Sequence, residues 1–248
     1  MTFGEWLERH PFGSEYSESS RWGRFERLYV RFFGTVDLPS RMRARVIIDA
    51  LRSIPWKTMI DFGCGTGSYS FYFSRFRGVH VRGVDIDQSR ISDCVEINRK
   101  LQRESLDFIC SSSISKNNEP GSADVVLAVE VLHCLPDVQA GFREIHRVLK
   151  PGGYLIGHIP MLGYRRHYET VLFDDENIET FIRGAGLEPV SITRVFGRTA
   201  DFLAGIFSRC VHSRILTAIL FPLLLLASLA CGGTDPRGSY RLIVAQKP

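Results

Sequence analysis

The stretch from Met59 to Ser70, MIDFGCGTGSYS, contains an apolar run that leads directly into three alternating glycines. The run KTMIDFG has the length and composition of a short buried strand. At Gly63, Gly65 and Gly67 a ligand can lie against bare backbone, because glycine has no Cβ and tolerates positive φ. The sequence therefore predicts a strand followed by a tight loop that holds a ligand.

The spacing of these glycines helps to separate two classes of cofactor. The dinucleotide fingerprint G-x-G-x-x-G opens in nearly the same way and expects an acidic residue about twenty residues later. Here Gly67 comes one residue early, and Ser68 stands where that fingerprint has Gly or Ala. Asp61 would repel a pyrophosphate but suits a cationic ligand. The loop therefore departs from the dinucleotide fingerprint, and Asp61 could either accept hydrogen bonds or face a cationic ligand; a nicotinamide-dependent oxidoreductase is the rival interpretation.

Strand and helix patterns alternate along the chain. Apolar runs typical of strands include HVRGVDID, LDFICSS, ADVVLAVEV and YLIGHIP, and helical patterns such as SRISDCVEINRKLQ and VQAGFREIHRVL lie between them. This alternation is typical of βαβ units and of a parallel sheet with helices on both faces. A further helix is predicted from about Pro39 to Ser53, and KPGG is predicted to form a turn.

Composition limits the partners and the compartment. The 248 residues carry a formal net charge of +4, a mild excess that does not predict binding to nucleic acid. The six cysteines show no C-x-x-C spacing, so neither a metal site nor a redox pair is predicted. The N-terminus has early acidic residues and no apolar stretch of the signal-peptide type. We therefore expect a cytoplasmic protein in a reducing environment.

Several motifs together resemble the class I S-adenosylmethionine-dependent methyltransferase family. IDFGCGTG is similar to its motif I and GVDID to the end of its second strand, and SADVVLAVEVLHCLPD, HRVLKPGGYLIGHIP and YRLIVAQKP follow in the family's order. The resemblance implies an α/β fold with a Rossmann-like, seven-stranded, mostly parallel sheet, helices on both faces and an antiparallel last strand. It places an N-terminal helical cap at residues 1–57 and the methyltransferase domain at 58–248, with an apolar insertion at 203–233.

The resemblance also implies which residues surround S-adenosylmethionine. Asp85 would accept hydrogen bonds from the ribose hydroxyls, Ile86 would pack on the adenine, and Asp61 would fix the methionine portion through its amino group. Ser112 stands where many members carry an acid that meets the adenine amino group, and a hydroxyl is the weaker acceptor. The implied cofactor-binding residues are Asp61, Gly63, Cys64, Gly65, Gly67, Asp85, Ile86, Ser112 and Val129.

The residues after the fourth strand face the methyl group in this family. His133 is therefore a candidate to accept a substrate proton near neutral pH, and a structural place in the first turn of a helix is its alternative. Glu130 lies at the same edge and would either take part in catalysis or cap a helix. His158, inside a strand, is expected in the core. Tyr16 and His10 precede the first helix and would form a lid, or else belong to a loose terminus.

An apolar run, ILTAILFPLLLLASLAC from Ile215 to Cys231, precedes the last strand. Its length, about seventeen residues, is at the lower edge for a membrane span, and a single crossing would separate strands of one sheet. Pro222 would kink a helix here. Arg209, Arg214 and a basic aromatic helix at Arg21–Phe33 could meet anionic lipid. The run is expected to lie at a membrane surface, or else to cover the pocket or form a dimer contact.

These observations predict methyl transfer from S-adenosylmethionine to a hydrophobic or lipid-linked small molecule at the inner face of a membrane. An oxygen or carbon acceptor is favoured, because AVEVLH replaces the Asp/Asn-Pro-Pro-Tyr-like motif of methyltransferases that act on nucleobase amino groups. The insertion and the arginine-rich helix also resemble those of bacterial lipid-type methyltransferases. The alternatives are a methyltransferase of a soluble small molecule and a noncatalytic protein that binds S-adenosylmethionine.

Overall fold

The computed structural model describes residues 38–160, 173–210, 213–229 and 234–248. The strands are β1 (Thr58–Phe62), β2 (His80–Asp85), β3 (Leu106–Cys110), β4 (Ala123–Val129), β5 (Leu149–Pro160), β6 (Glu188–Val195) and β7 (Tyr240–Gln246). The helices are α1 (Leu38–Leu51), α2 (Ser68–Phe73), α3 (Gln88–Leu101), α4 (Val138–Val148), α5 (Asp175–Gly184), α6 (Arg198–Cys210) and α7 (Arg214–Leu229), and a 3₁₀ turn spans Leu132–Cys134. The predicted lid residues Tyr16 and His10 and the predicted basic helix lie outside the described residues.

The described strands form one seven-stranded sheet in the order β3-β2-β1-β4-β5-β7-β6. β1 pairs in parallel with β2 and with β4, β2 with β3, and β4 with β5, whereas β7 is antiparallel to β5. This confirms the predicted Rossmann-like sheet and its antiparallel last strand. The strand order reverses between β1 and β4, and the loops that diverge at such a switch point leave a crevice at the carboxyl ends of the strands.

The core lies against the central strands, and α4 illustrates how the sequence builds it. Phe142, Ile145 and Val148 recur at three-residue steps, which places them on one face of the helix, and all three are fully buried. The helix begins after Asp137, whose carboxylate accepts a hydrogen bond from the backbone N–H of Ala140. A capped helix with one apolar face therefore covers the central strands of the sheet.

The segment KPGG lies inside β5 and does not form the separate turn that the sequence predicted. Ala123 of β4 pairs with Leu149, but Val125 pairs with Tyr154, so the register shifts across this segment. Gly152 has a φ of 76°, and its backbone N–H donates to the carbonyl of Lys247 at 2.8 Å. The irregularity is thus held by the end of β7.

Asp124 joins the amino ends of three strands. Its Oδ2 accepts hydrogen bonds from the backbone N–H groups of Lys57 and Thr58 and from Thr58 Oγ1, and Lys150 Nζ donates to Oδ1 at 2.7 Å. Burial disfavours the charged form, but these hydrogen bonds outweigh burial and lower the pKa of Asp124 to about 2. β1, β4 and β5 are therefore fixed together at the edge opposite the glycine loop.

The chain divides into two compact units. One comprises residues 49–193 and 240–248 and contains the sheet except for the end of β6. The other includes the described residues among 38–48 and 194–239 and is mainly helical, with most of α1 and all of α6 and α7. The predicted boundary at residues 57/58 stays a prediction. The predicted insertion at 203–233 likewise stays a prediction; among the described residues it includes α7 and part of α6, which begins at Arg198.

The helical unit is held together by arginines and aromatic rings. Arg45 of α1 donates to the carbonyl of Ser228 on α7 at 2.9 Å and to its hydroxyl at 3.2 Å. The guanidinium carbon of Arg41 lies 5.6 Å from the ring centroid of Phe221, and that ring lies 6.2 Å from the ring of Phe207 on α6. No helix among the described residues combines the length and the apolar character needed to cross a membrane.

Candidate cofactor site

The three glycines after β1 adopt left-handed backbone conformations, with φ values of 71°, 54° and 76° at Gly63, Gly65 and Gly67. A Cβ built on Gly63 would lie 2.5 Å from Val131 Cγ2, and one on Gly67 would lie 3.0 Å from Cys94 Sγ. Both positions favour glycine for backbone conformation, and Gly63 also requires it for space. At Gly65 the nearest atom, Arg90 Nη1, is 3.5 Å away, so this glycine has room on its Cβ side.

The carboxylate of Asp85, at the end of β2, is oriented by the glycine loop. Its Oδ2 accepts a hydrogen bond from the backbone N–H of Gly65 at 2.7 Å, and its Oδ1 accepts one from the backbone N–H of Asp87 at 2.9 Å. Each carboxylate oxygen has a second lone pair, which fits the two hydroxyls of a ribose. Ile86, the next residue, has 72% of its surface exposed and provides an apolar shelf beside them.

Asp61, at the end of β1, is a buried carboxylate below the loop, with 1% of its surface exposed. Its Oδ2 accepts hydrogen bonds from the backbone N–H and the hydroxyl of Ser70 at 3.1 and 2.6 Å. Burial raises the pKa of Asp61 to about 7; the two hydrogen bonds from Ser70 oppose this rise, and the charge of Asp85 adds to it. A cation bound nearby would favour the ionised form of Asp61, as the amino group of a bound methionine would.

Ser112, which follows β3, is exposed, whereas the hydroxyl groups of its two neighbours form hydrogen bonds within the protein. Ser111 Oγ donates to the carbonyl of Ser113 at 2.7 Å, and Ser113 Oγ donates to Glu144 Oε1 at 2.8 Å. Cys110 Sγ lies 3.4 Å from the carbonyl of Ile86, which joins the ends of β2 and β3. Ile86 and Ser112 therefore follow neighbouring strands at the same edge of the sheet.

Two thiols lie beneath the loop. Cys64 and Cys94 are buried, and their sulfurs lie 4.0 and 3.7 Å from the carbonyl oxygen of Gly65. Burial raises the pKa of both thiols, that of Cys94 to about 12, so both stay protonated at neutral pH. A role for Cys64 at a bound cofactor would therefore fall to its backbone, because its side chain is packed inside.

The end of β4 carries a polar pair that the sequence analysis did not identify. Val129 is buried, and Glu130 follows it with a φ of 56°. Glu130 Oε1 lies 2.8 Å from Nδ1 of His158, a fully buried residue of β5, as expected for its strand position. His133 lies on the 3₁₀ turn with 4% of its surface exposed. The pair follows from the adjacency of β4 and β5, which no local sequence pattern shows.

Comparison with known proteins identifies a methyltransferase domain in this part of the chain. Residues 60–157 match a family model described as a methyltransferase domain. The phthiotriol/phenolphthiotriol dimycocerosates methyltransferase 1 of Mycobacterium ulcerans (strain Agy99) is 34% identical over 101 residues, which are 40% of this chain and 36% of that protein. This chain therefore spans little more than a third of the length of that relative.

Two solved structures share the fold over most of the chain. The geranyl diphosphate C-methyltransferase of Streptomyces coelicolor A3(2), crystallised with Mg²⁺, geranyl diphosphate and S-adenosylhomocysteine, has a TM-score of 0.64 and 17% identity, and the match covers 93% of this chain and 85% of that one. The [4+2]-cyclase SpnF has a TM-score of 0.62 and 20% identity, with 84% and 81% covered. At these identities the likeness shows the fold alone.

The close packing at Gly63 predicts a cost that a matched glycine does not share. Gly78 has a φ of 73° and nothing within 4 Å of its built Cβ. Gly78→Ala should therefore lower the free energy of unfolding by about 1 to 2 kcal/mol, the cost of a left-handed residue. Gly63→Ala should lower the free energy of unfolding by about 1 to 3 kcal/mol more than Gly78→Ala does, because its Cβ overlaps Val131. Urea denaturation measures both, and equal losses would contradict this account of the loop.

The raised pKa of Asp61 predicts how stability depends on pH. Between the unfolded pKa of 3.8 and the folded value of about 7, the folded protein holds one proton more than the unfolded chain. The free energy of unfolding should therefore fall as pH rises through this range, by up to about 1.4 kcal/mol per pH unit from this group. Asp61→Asn keeps an acceptor for Ser70 and should remove this contribution. The stability of the variant relative to the wild type should therefore increase as pH rises.

Urea denaturation at pH 5, 6 and 7 checks this expectation. Asp124→Asn is the matched control, because the pKa of Asp124 is about 2 and its carboxylate stays ionised over that range. The control should shift stability by a constant amount. Parallel curves for Asp61→Asn and the wild type would show that Asp61 does not take up a proton there.

Proposed function

Residues 60–157 form a class I S-adenosylmethionine-dependent methyltransferase domain, and on that premise we propose that the protein methylates an oxygen or carbon of a hydrophobic or lipid-linked small molecule at a membrane surface. The observation that carries the cofactor part is the orientation of Asp85 by the backbone of Gly65, beside the exposed Ile86. A fixed carboxylate next to an apolar shelf suits a nucleoside, and the glycine loop leaves room for the amino-acid end.

The implied cofactor-binding residues would contact different parts of the cofactor. The Asp85 carboxylate would accept hydrogen bonds from the ribose hydroxyls, Ile86 would pack on the adenine, and Ser112 would meet the adenine amino group. The loop from Gly63 to Gly67 and the buried Asp61 would hold the methionine portion through backbone groups and charge. Val129 ends the strand that lies beside the loop. When bound, the cofactor supplies a methyl group already activated by its sulfonium sulfur.

The chain's own contribution is to orient the acceptor, exclude water and take up a proton. Orientation of the reacting atoms supplies about 7 to 11 kcal/mol in well-aligned reactions, and a positioned base adds about 10²- to 10⁴-fold. Glu130 and His133 are the candidate bases at the end of β4. The side chain of Glu130 is 13% exposed, whereas His133 is 4% exposed as a residue. The geometry therefore favours Glu130, which offers a carboxylate at the carboxyl edge of the sheet.

Two observations support a hydrophobic acceptor. The Mycobacterium ulcerans relative is named for a lipid-type acceptor, phthiotriol dimycocerosates. The second observation is the exposed side of α7, where four large apolar side chains recur at four-, four- and three-residue steps. These side chains, which we call the outer face, are Ile215, Ile219, Leu223 and Leu226, with 75, 62, 61 and 60% of their surfaces exposed.

The opposite side of α7 is also apolar but is packed inside the helical unit. Phe221, Leu224, Leu225 and Ser228 are buried, and they lie on the other side of the helix because of its 3.6-residue period. α7 is therefore apolar on both sides and packed on one, and a contiguous exposed apolar face of this kind marks an interaction surface. A lipid surface suits it, because Arg209 at the end of α6 is exposed and would meet anionic head groups.

The alternatives are a soluble acceptor and a noncatalytic role. The fold does not decide between them, since the same fold occurs in a protein described as a [4+2]-cyclase. Incubation with methyl-labelled S-adenosylmethionine and a lipid extract of the source organism tests the proposal. Label in the organic phase supports it, whereas label in water-soluble products supports a soluble acceptor. If the protein binds S-adenosylmethionine but forms no S-adenosylhomocysteine with either the lipid or the aqueous extract, the result would support a noncatalytic role.

For the cofactor site, Asp85→Ala should weaken binding of S-adenosylmethionine by about 1.5 to 3 kcal/mol, the scale of hydrogen bonds to a charged group. Isothermal titration calorimetry measures this change. Asp107→Ala is a suitable control, because Asp107 lies near the amino end of β3 and pairs with Arg82. It should leave affinity within a factor of about two. Unchanged affinity in Asp85→Ala would remove Asp85 from the ribose site.

For the membrane, the two sides of α7 give a matched pair of variants. Leu223→Ser/Leu226→Ser changes only the outer face and should reduce sedimentation with anionic vesicles at least tenfold while the melting temperature stays nearly constant. Leu224→Ser/Leu225→Ser changes the packed side and should cost several kcal/mol of stability, because it buries hydroxyls and leaves cavities. High salt should weaken only the part of binding due to arginines. A wild type that does not sediment, or an outer-face variant that sediments normally, would overturn the membrane proposal.

A further inference from the structure

The backbone of Glu130 has an unfavourable conformation, and both its main chain and its side chain contact His158. Its φ of 56° is left-handed, which costs a non-glycine residue about 1 to 2 kcal/mol. Its backbone N–H donates to the carbonyl of His158 at 2.9 Å, and its Oε1 lies 2.8 Å from His158 Nδ1. Main chain and side chain of Glu130 are therefore both fixed by the same residue of β5.

The ring of His158 is itself fixed. The residue is fully buried on β5, and its ring stacks on Tyr240 of β7 with centroids 5.0 Å apart and planes 26° apart. Val129 and Leu242 are its partners on the two neighbouring strands. His158 is thus on a strand with a neighbour on each side, and its buried ring is stacked on Tyr240. These contacts hold the ring in one orientation and so fix the direction of Nδ1.

The pair lies beside the glycine loop. Gly63 approaches Val131 so closely that a Cβ would lie 2.5 Å from it, and Val131 directly follows Glu130. The Glu130 side chain has 13% of its surface exposed, so its carboxylate is largely shielded from water at the carboxyl edge of the sheet. A shielded carboxylate is stable only with hydrogen-bond partners, and strained backbones that hold such groups are typical of functional sites.

We infer that His158 is a positioning residue whose Nδ1–H holds the Glu130 carboxylate as the proton acceptor for a hydroxyl substrate, an inference that rests on the proposed methyl transfer. The acceptor oxygen forms its bond to the methyl carbon, the carbon–sulfur bond breaks with its electron pair on sulfur, and the hydroxyl proton passes to Glu130. In this role His158 acts only through Glu130 and does not itself take up the substrate proton. An anionic acceptor atom, such as a carboxylate oxygen, is disfavoured because Glu130 repels it.

Three variants separate this role from simple packing. His158→Leu removes the donor, His158→Asn keeps an amide N–H near the position of Nδ1, and Glu130→Gln removes the carboxylate. With labelled cofactor and lipid extract, His158→Leu and Glu130→Gln should each lower turnover about 100-fold or more, the scale of a positioned base. His158→Asn should stay within about tenfold of the wild type. The double variant Glu130→Gln/His158→Leu should be no slower than either single variant, because the two residues act as a unit.

Calorimetry with S-adenosylmethionine should show affinity within about twofold of the wild type in all four variants. A structural role would instead lower stability and affinity together, without recovery in His158→Asn. Full turnover in Glu130→Gln, additive losses in the double variant, or a His158→Asn variant as slow as His158→Leu would each overturn the inference.

A measurement without substrate completes the test. In nitrogen NMR of ring-labelled protein, His158 should carry its proton on Nδ1, and Glu130→Gln should shift that resonance. A neutral ring with its proton on Nε2 in the wild type overturns the inference even if methyl transfer occurs. If no extract yields S-adenosylhomocysteine, the proposed function fails, and the NMR result still decides whether His158 donates to Glu130.

Discussion

The close approach of the loop after β1 to the segment after β4 is the constraint on which the site depends. At Gly63 the backbone passes so near Val131 that no side chain fits between them, and the positive φ there sends the chain back towards β2. That path brings the N–H of Gly65 to the Asp85 carboxylate. It also leaves Glu130 beside the loop. One steric contact thus sets the distances among groups from three strands.

The carboxylates around this contact differ because their surroundings differ. Asp85 accepts two backbone hydrogen bonds at a partly exposed edge, whereas Asp61 is buried and its pKa is raised to about 7 by that burial. Glu130 faces a histidine inside the sheet. A single edge therefore carries a hydrogen-bond acceptor for neutral hydroxyls, a group sensitive to nearby cations, and a carboxylate with a fixed direction. A cofactor with a ribose and a cationic end can use the first two at once.

The sequence predicted the fold well because its signals are local. Glycine spacing and the alternation of strand and helix patterns are visible within short windows and predicted a parallel α/β sheet. The seven strands and the antiparallel β7 were expected from the family resemblance, and the structure agrees with both. The Glu130–His158 pair was not predicted, because residues 28 positions apart meet only after β4 and β5 pair. The place of KPGG inside β5 was not predicted for a similar reason, because Gly152 is held by a hydrogen bond to Lys247, a residue far away in the sequence. Hydropathy likewise did not distinguish the two sides of α7, because both are apolar.

The outer face of α7 has a kinetic consequence if it docks on lipid. A protein held at a bilayer searches for its acceptor in two dimensions, so its rate follows the mole fraction of acceptor in the surface and not the concentration in the bulk. Adding inert lipid at constant acceptor would then dilute the substrate and slow the reaction, although nothing in solution has changed. Because the packed side of α7 is separate from the outer face, evolution could adjust residence on the membrane at Leu223 or Leu226 without altering the interior of the helical unit.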